Sequence, residues 1–161
     1  MENTNLVDIL DMKNYKFDTL LQKVYNIKKN TYRKNSLNNY GYYQVNLNKK
    51  TYFIHKLVYQ IYNPNEDLEG YDIDHIDRDK LNNKIENLRR ATRSDNNSNK
   101  IAQKNNTSGY KYISKTKWNT YRFDLTKNGI RYTKTFKNLE EVITYRDMKV
   151  GEICGTFTNL G

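Results

Sequence analysis

The chain lacks the residues that small proteins use as covalent or metal staples. It has one cysteine, Cys154, and two histidines, His55 and His75. That inventory excludes an intrachain disulfide framework, a cysteine-based zinc ribbon and a histidine-rich zinc cage, so a bound metal would have to be held by oxygen. Hydrophobic residues make up only 36% of the chain, below the roughly 45–50% of ordinary globular domains. Charged, Asn or Lys residues interrupt every apolar stretch, so none approaches the roughly 20 residues of a transmembrane helix. The start, Met1-Glu2-Asn3-Thr4-Asn5, lacks a signal-peptide pattern. A soluble, cytoplasmic protein with no membrane partner is expected. Acidic residues are also short: 18 Asp+Glu face 28 Lys+Arg, for a formal net charge of +10. Such an excess names a polyanionic partner class.

What the chain has instead is tyrosine, 15 of its 161 residues. A small, partly aromatic core follows, and the length suits two small modules better than one large core. Within residues 1–35, Asp18-Thr19 before Leu20, Leu21, Val24 and Tyr25 predicts a short capped helix. Tyr42-Tyr43-Gln44-Val45-Asn46-Leu47 and Thr51-Tyr52-Phe53-Ile54 form a hairpin pattern around the loop Asn48-Lys49-Lys50. Ile54, Leu57, Val58 and Ile61 then recur at helical spacing until Asn63-Pro64-Asn65, because proline cannot continue a helix. Residues 93–108 contain almost nothing apolar and read as an exposed connector after a helix start at Ser94.

The last third carries a second hairpin. Asn128-Gly129 lies between two β-prone runs, and Asn-Gly is the strongest short hairpin signal. Counting outward from Lys127 opposite Ile130 puts Tyr121, Phe123, Leu125, Tyr132, Lys134 and Phe136 on one face. Arg122, Asp124, Thr126, Arg131, Thr133 and Thr135 take the other. Leu139, Val142, Ile143 and Val150 then predict a helix over the aromatic face, with Glu140-Glu141 suited to its positive end. The opposite face stays polar and basic, available to nucleic acid. Arg122 and Arg131 are its candidate DNA contacts, joined by Arg90, Lys111 and Lys117; Lys34, Lys49, Lys50, Lys100 and Lys104 add diffuse attraction to phosphates. Trp118 is read as a core side chain on burial propensity, and Cys154 as a small apolar one.

Asp74-His75 ends a β-prone run, Tyr71-Asp72-Ile73, with neighbouring side chains directed to opposite sides of the strand. An imidazole that titrates near neutrality takes a proton from water, and a carboxylate ligates a hard divalent cation; phosphodiester hydrolysis needs both. A second oxygen ligand is available in the carboxamides of Ser94-Asp95-Asn96-Asn97-Ser98-Asn99. His55, at the start of the helix, is read as structural, hydrogen-bonded to a loop carbonyl.

Through His55-Lys56-Leu57-Val58, Asp74-His75-Ile76-Asp77, Asn82-Asn83, Glu86-Asn87-Leu88-Arg89 and Asp95-Asn96, residues 40–100 resemble the HNH endonuclease family, in its phage and intron-encoded homing form. Asn87 lies twelve positions after His75 and Asn96 nine after Asn87, intervals consistent with the family's strand, loop, strand and helix. The resemblance implies His75 as general base, Asp74 and Asn96 as metal ligands, with Asn97 as the alternative to Asn96, and Asn87 as a brace that orients His75. It also implies one Mg²⁺ or Mn²⁺ ion per site. Residues 105–160 resemble the Apetala-type DNA-binding domain through Asn106-Thr107-Ser108-Gly109-Tyr110-Lys111, Trp118, Phe136, Glu140-Glu141, Tyr145-Arg146-Asp147 and Gly155-Thr156-Phe157. Tyr112 stands where that family often has glycine, and Lys134 where it has a small residue.

The expected fold is α+β. An extension over 1–35 leads into a ββα-metal nuclease module over 36–104, followed at 105–161 by a three-stranded antiparallel sheet packed on one helix. The expected function is metal-dependent, site-preferring cleavage of double-stranded DNA, with homing as its biology. A monomer is expected, with a dimer as the route to cutting both strands. The competing readings are a non-catalytic DNA-binding regulator with a decayed nuclease module and an RNA-processing enzyme.

Overall fold

The structure is a computed structural model that describes residues 5–9, 12–100, 102, 105–158 and 160. It is of mixed α and β type and divides into two compact units, Met1–Arg90 and Ala91–Gly161.

The first unit opens with β1 (Leu6–Asp8), β2 (Tyr15–Asp18), β3 (Lys23–Asn26) and β4 (Thr31–Tyr32), an antiparallel sheet in chain order. The helix expected after Asp18 is absent here. Asp18 closes a turn: its Oδ1 accepts from the Leu20 and Leu21 N–H groups at 3.1 and 2.9 Å, and the Tyr32 hydroxyl donates to Oδ2 at 2.6 Å. Leu20 and Leu21 project outward, 74% and 50% exposed. Phe17 and Val24 face each other across the β2–β3 pair and are buried. Strand pairing across a tight turn had imitated helical spacing.

A second sheet holds β5 (Ser36–Leu37), β6 (Tyr43–Leu47) and β7 (Lys50–Phe53). Its hairpin turns on Asn48 and Lys49, both at positive φ (48° and 66°), and Leu47 pairs with Lys50. Positive φ at both central residues matches the right-handed twist of the strands, which brings Lys50 into β7 and out of the loop. Helix α1 (Ile54–Tyr62) buries Ile54, His55, Leu57, Val58 and Tyr59. It ends at Asn63, whose N–H still bonds to the Tyr59 carbonyl, one residue before Pro64. Strands β8 (Asp72–His75) and β9 (Leu88–Ala91) pair as a two-stranded sheet, joined through a 3-10 turn at Ile85–Asn87. Phe17 and Val24 share one core with Val45, Leu47, Ile54, Leu57, Val58, Ile73 and Leu88. Tyr15, Phe17 and Val24 thus belong to the same core as Ile73 of β8.

The second unit begins its regular structure with α2 (Arg93–Asn99). Thr92 accepts from the Asp95 N–H, and Asp95 accepts from the Thr92 N–H, a reciprocal capping box. The connector expected over 93–108 is therefore helical in its first half, and Ser98 and Asn99 are buried. Lys127 Nζ lies 2.5 Å from Asp95 Oδ1 and 3.3 Å from Ser98 Oγ, and Lys111 Nζ donates to the Ser98 carbonyl. These bonds hold α2 to the rest of the Ala91–Gly161 unit; of the residues at the expected boundary, 103 and 104 lie outside the described residues.

Strands β10 (Ile113–Lys115), β11 (Tyr121–Lys127) and β12 (Ile130–Phe136) form an antiparallel sheet. Lys127 pairs with Ile130 and Phe123 with Lys134, the expected register, and Asn128 and Gly129 take φ of 51° and 80°. Helix α3 (Leu139–Cys154), capped by Asn138, buries Val142, Val150 and Cys154 against Ile113, Phe123 and Leu125. Lys134 stays exposed, with Nζ 5.2 Å from the Phe136 ring centroid and 4.7 Å from that of Tyr145. Its ammonium thus sits over two aromatic rings while the side chain keeps access to water. Tyr112 takes φ of 63°, a conformation glycine adopts without strain.

Burial raises the Asp95 carboxyl pKa, but the bonds from Lys127 and Thr92 outweigh it and hold the pKa below its ordinary 3.8. A depressed carboxyl stabilises the fold above the unfolded-state pKa, and that contribution disappears as pH falls through the folded one. Asp95→Asn is expected to be less stable than the parent at neutral pH, with the difference shrinking below pH 3.8. Urea unfolding at a series of pH values measures it; a difference independent of pH would count against this pair as the source.

Candidate active site

Both Asp74 and His75 are buried at the end of β8, 7% and 4% exposed. Burial of two successive polar side chains requires a polar partner for each. Asp74 Oδ2 accepts from Arg89 Nε at 3.0 Å and from Nη2 at 2.9 Å. His75 Nε2 lies 3.1 Å from Asn83 Oδ1, and Asn83 is 2% exposed. Asn83 Nδ2 in turn donates to the Leu81 carbonyl at 3.2 Å, which orients its oxygen.

The loop between β8 and β9 is braced by side chains. Asn87 Oδ1 accepts from the Asp77 N–H at 3.0 Å, while its Nδ2 donates to Asp77 Oδ1 at 2.9 Å and to the Asn82 carbonyl at 2.8 Å. Asn82 Nδ2 donates to Asp77 Oδ2 at 2.7 Å. Burial alone would raise the Asp77 carboxyl, and the donors from Asn82, Asn87 and the Asp79 N–H bring it below its usual range. Asn87 is thereby committed to the loop, and the amide in contact with the His75 ring is that of Asn83.

An aromatic wall encloses the imidazole. Its ring centroid lies 5.1 Å from that of His55 and 5.9 Å from that of Tyr42; Tyr42 lies 5.0 Å from His55, and Phe53 5.6 Å from His55. The hydrogen bond expected from His55 to a loop carbonyl is replaced by ring contacts, and its buried Nδ1 has no partner. Burial, then electrostatic interaction with His75 and Lys56, lowers the His55 pKa to about 3. His55 is therefore a neutral ring at physiological pH. Burial and the nearby Asp74 and Asp72 raise the Tyr42 phenol, which also carries Lys80 Nζ 4.7 Å above its face.

Tyr42 and Arg89 escaped the sequence reading as site residues. Tyr42 looked like one β-prone residue among several. Arg89 stood inside the Glu86-Asn87-Leu88-Arg89 run, but only strand pairing sets it against Asp74.

In the second unit, Asn96 is half-buried within α2, and the cap is Thr92, so the helix-capping role is filled without it. Asn97 is exposed, and its Oδ1 accepts from Lys100 Nζ at 2.8 Å. Among the candidate DNA contacts, Arg122 and Arg131 are 49% and 61% exposed in their side chains and share Asp124. The Arg131 bond, ahead of the opposing effect of burial, holds the Asp124 carboxyl below its usual range. Lys117 is exposed and sits with Nζ 4.6 Å above the ring of Trp118. Trp118 itself is 74% exposed, which overturns its reading as core: it occupies the turn between β10 and β11, beyond the reach of α3. Lys111 is corrected in the opposite sense, since it is 7% exposed and bonded to the Ser98 carbonyl. In the first unit, Arg90 lies over the Tyr71 ring at 4.2 Å and donates to the Asp67 carbonyl.

A buried Asp-His pair on the first strand of a strand, loop and strand unit, followed in sequence by a capped helix, describes a ββα nuclease class. Comparison with known proteins agrees. Residues 52–98 match the family profile of HNH endonucleases. The chain is 36% identical over 90 residues to Protein 3.8 of Escherichia phage T7, covering 55% of this chain and 74% of that protein. It is 32% identical over 107 residues to "Uncharacterized HNH endonuclease L560" of Acanthamoeba polyphaga mimivirus, covering 65% of this chain and 54% of that one. The chain belongs to the HNH endonuclease family. It is also similar to the solved structure described as "DNA binding and cleavage by the HNH homing endonuclease I-HmuI", with a TM-score of 0.47 and 31% identity over 54% of this chain and 52% of that one.

Because the folded-state pKa of His55 lies below its ordinary 6.5, the unfolded chain takes up this proton first on acidification. Stability is expected to fall between pH 6.5 and about 3, with this group contributing about 1.4 kcal/mol per pH unit. His55→Phe, which keeps the aromatic wall, is expected to have a shallower acid limb in urea unfolding; parallel limbs would show that the ring is not buried neutral.

Proposed function

We propose that this protein is a metal-dependent endonuclease that hydrolyses phosphodiester bonds in double-stranded DNA, with His75 as its general base. The observation that carries the reading is the buried Asp74-His75 pair on β8, each side chain with its own partner, in a chain of the HNH endonuclease family. Asn83 holds the imidazole at Nε2, which orients the ring for its work as the general base that takes a proton from water. The aromatic wall of Tyr42 and His55 limits the ring's rotation and keeps it positioned for that transfer. Asn87 acts indirectly, by bracing the loop that carries Asn83.

HNH nucleases generally use a divalent metal. Among the described residues no group of three or more His, Cys, Asp or Glu side chains gathers as a metal cluster. A buried carboxylate now matched by a guanidinium still fits a hard cation of the Mg²⁺ type, which is bound through one or two carboxylates plus water and substrate phosphate. Asp74 is the side chain of the first unit that would hold one Mg²⁺ or Mn²⁺, and the family resemblance implies Asn96 as the second ligand. When bound, such an ion polarises the phosphate and offsets the charge on the leaving 3′ oxygen.

The net charge of +10 supports duplex DNA as the partner. In the Ala91–Gly161 unit, Arg122, Arg131, Lys117 and Trp118 form the exposed polar and aromatic set that would lie on it, in keeping with the resemblance to the Apetala-type domain. A site-preferring homing role is the biological form of this activity.

Plasmid and random-site-library cleavage in Mg²⁺, Mn²⁺ and EDTA, with nicked and linear products resolved, tests the reading. His75→Ala is expected to bind DNA like the parent while cleaving about 10²–10⁴-fold more slowly. Asp74→Ala should require far more metal. Binding with no metal-dependent cleavage by the parent, or unchanged cleavage by His75→Ala, would replace this proposal with a DNA-binding regulator or another base.

A further inference from the structure

We infer that Arg89 is a positioning residue that holds the place of the metal at Asp74, so that divalent-cation binding depends on the arrival of a phosphodiester. The inference rests on the endonuclease reading and concerns the ion that reading requires. Asp74 is 7% exposed, and the Arg89 side chain only 14%. Two guanidinium nitrogens, Nε and Nη2, converge on one oxygen, Oδ2, at 3.0 and 2.9 Å. Both residues sit on the paired strands β8 and β9, and the preceding Leu88 is buried in the core. The pair is therefore set by the backbone and by packing, with little freedom for the guanidinium to withdraw.

Such a pair answers the cost of an unmatched buried carboxylate in the absence of metal, and keeps Asp74 aimed. It also alters what an incoming cation meets. One carboxylate and one guanidinium carry no net charge, so a divalent ion at Asp74 gains one ligand against repulsion from a fixed positive charge a few ångströms away. A phosphodiester changes that balance in two ways. It brings a negative charge to the ion, and it offers the guanidinium a second acceptor of the kind its planar fork binds best. Free protein should hold the metal weakly, and protein on DNA should hold it tightly. Arg89 thereby ties assembly of the hydrolytic site to the presence of substrate.

The test is a Mn²⁺ titration followed by electron paramagnetic resonance, with and without a short DNA duplex and with the duplex alone subtracted. The parent is expected to bind Mn²⁺ at least about tenfold more tightly when the duplex is present, and Arg89→Gln to bind it at least about tenfold more tightly than the parent in the absence of DNA, since one fixed charge within a few ångströms has been removed. Arg89→Lys, which keeps the charge, should bind Mn²⁺ as weakly as the parent in the absence of DNA. Unchanged or weaker Mn²⁺ binding by Arg89→Gln without DNA overturns the inference and leaves the endonuclease reading standing. If Arg89→Gln does not fold, the parent decides, because equal Mn²⁺ affinity with and without duplex overturns the inference as well. No Mn²⁺ binding by any form, even with duplex, overturns both.

Discussion

Two polar side chains in succession are buried at the end of β8, and the surrounding loop and strand supply a partner for each. A buried carboxylate or imidazole without a hydrogen-bonding partner is costly, and its cost sets what else must be present. For Asp74 the partner is Arg89 on the paired strand β9; for His75 it is Asn83 in the intervening loop. The loop can present Asn83 only because Asp77, Asn82 and Asn87 are bonded to one another across it. A segment too polar for a core is thereby folded around two buried groups.

Packing behind the site follows from the same demand for rigidity. Ile73 and Leu88, on the two strands that carry the pair, point into a core completed by α1, by the β6–β7 hairpin and by Phe17 and Val24 of the first sheet. A change at Phe17 or Val24 is a change to the core shared with Ile73 and Leu88, the residues that anchor the two strands of the site. The aromatic wall formed by Tyr42, Phe53 and His55 adds a second constraint, and a histidine kept neutral by burial serves there as a ring.

The Ala91–Gly161 unit uses buried charge differently. Lys127, on the apolar face of β11, and Lys111 reach the helix α2, where Asp95 and the Ser98 carbonyl receive them. Both lysines are withdrawn from solvent, while Trp118 and Lys117 remain outside on a turn. Part of the chain's basic excess is therefore structural, and the share available to a polyanion is smaller than the composition suggests.

The sequence by itself determined the local elements whose pattern is carried by neighbouring residues: α1 with its stop before Pro64, the Asn128-Gly129 hairpin with its two faces, and α3 over the aromatic face. It also determined the family, since the spacing of Asp74, His75, Asn83, Asn87 and Asn96 is a property of the chain. Periodicity misled where turn chemistry intervened, as at Asp18, whose side chain closes a turn that simple apolar spacing cannot distinguish from a helix start. The partners of the buried polar groups were decided only by tertiary structure: Arg89 for Asp74, Asn83 for His75, the rings around His55, and Asp95 for Lys127. Each of these pairs lies across strands, a loop or a helix docked on a sheet. Whether a charged side chain is a surface contact or a buried strut depends on which elements pack above it, and that is a property of the fold and not of the neighbouring residues in sequence.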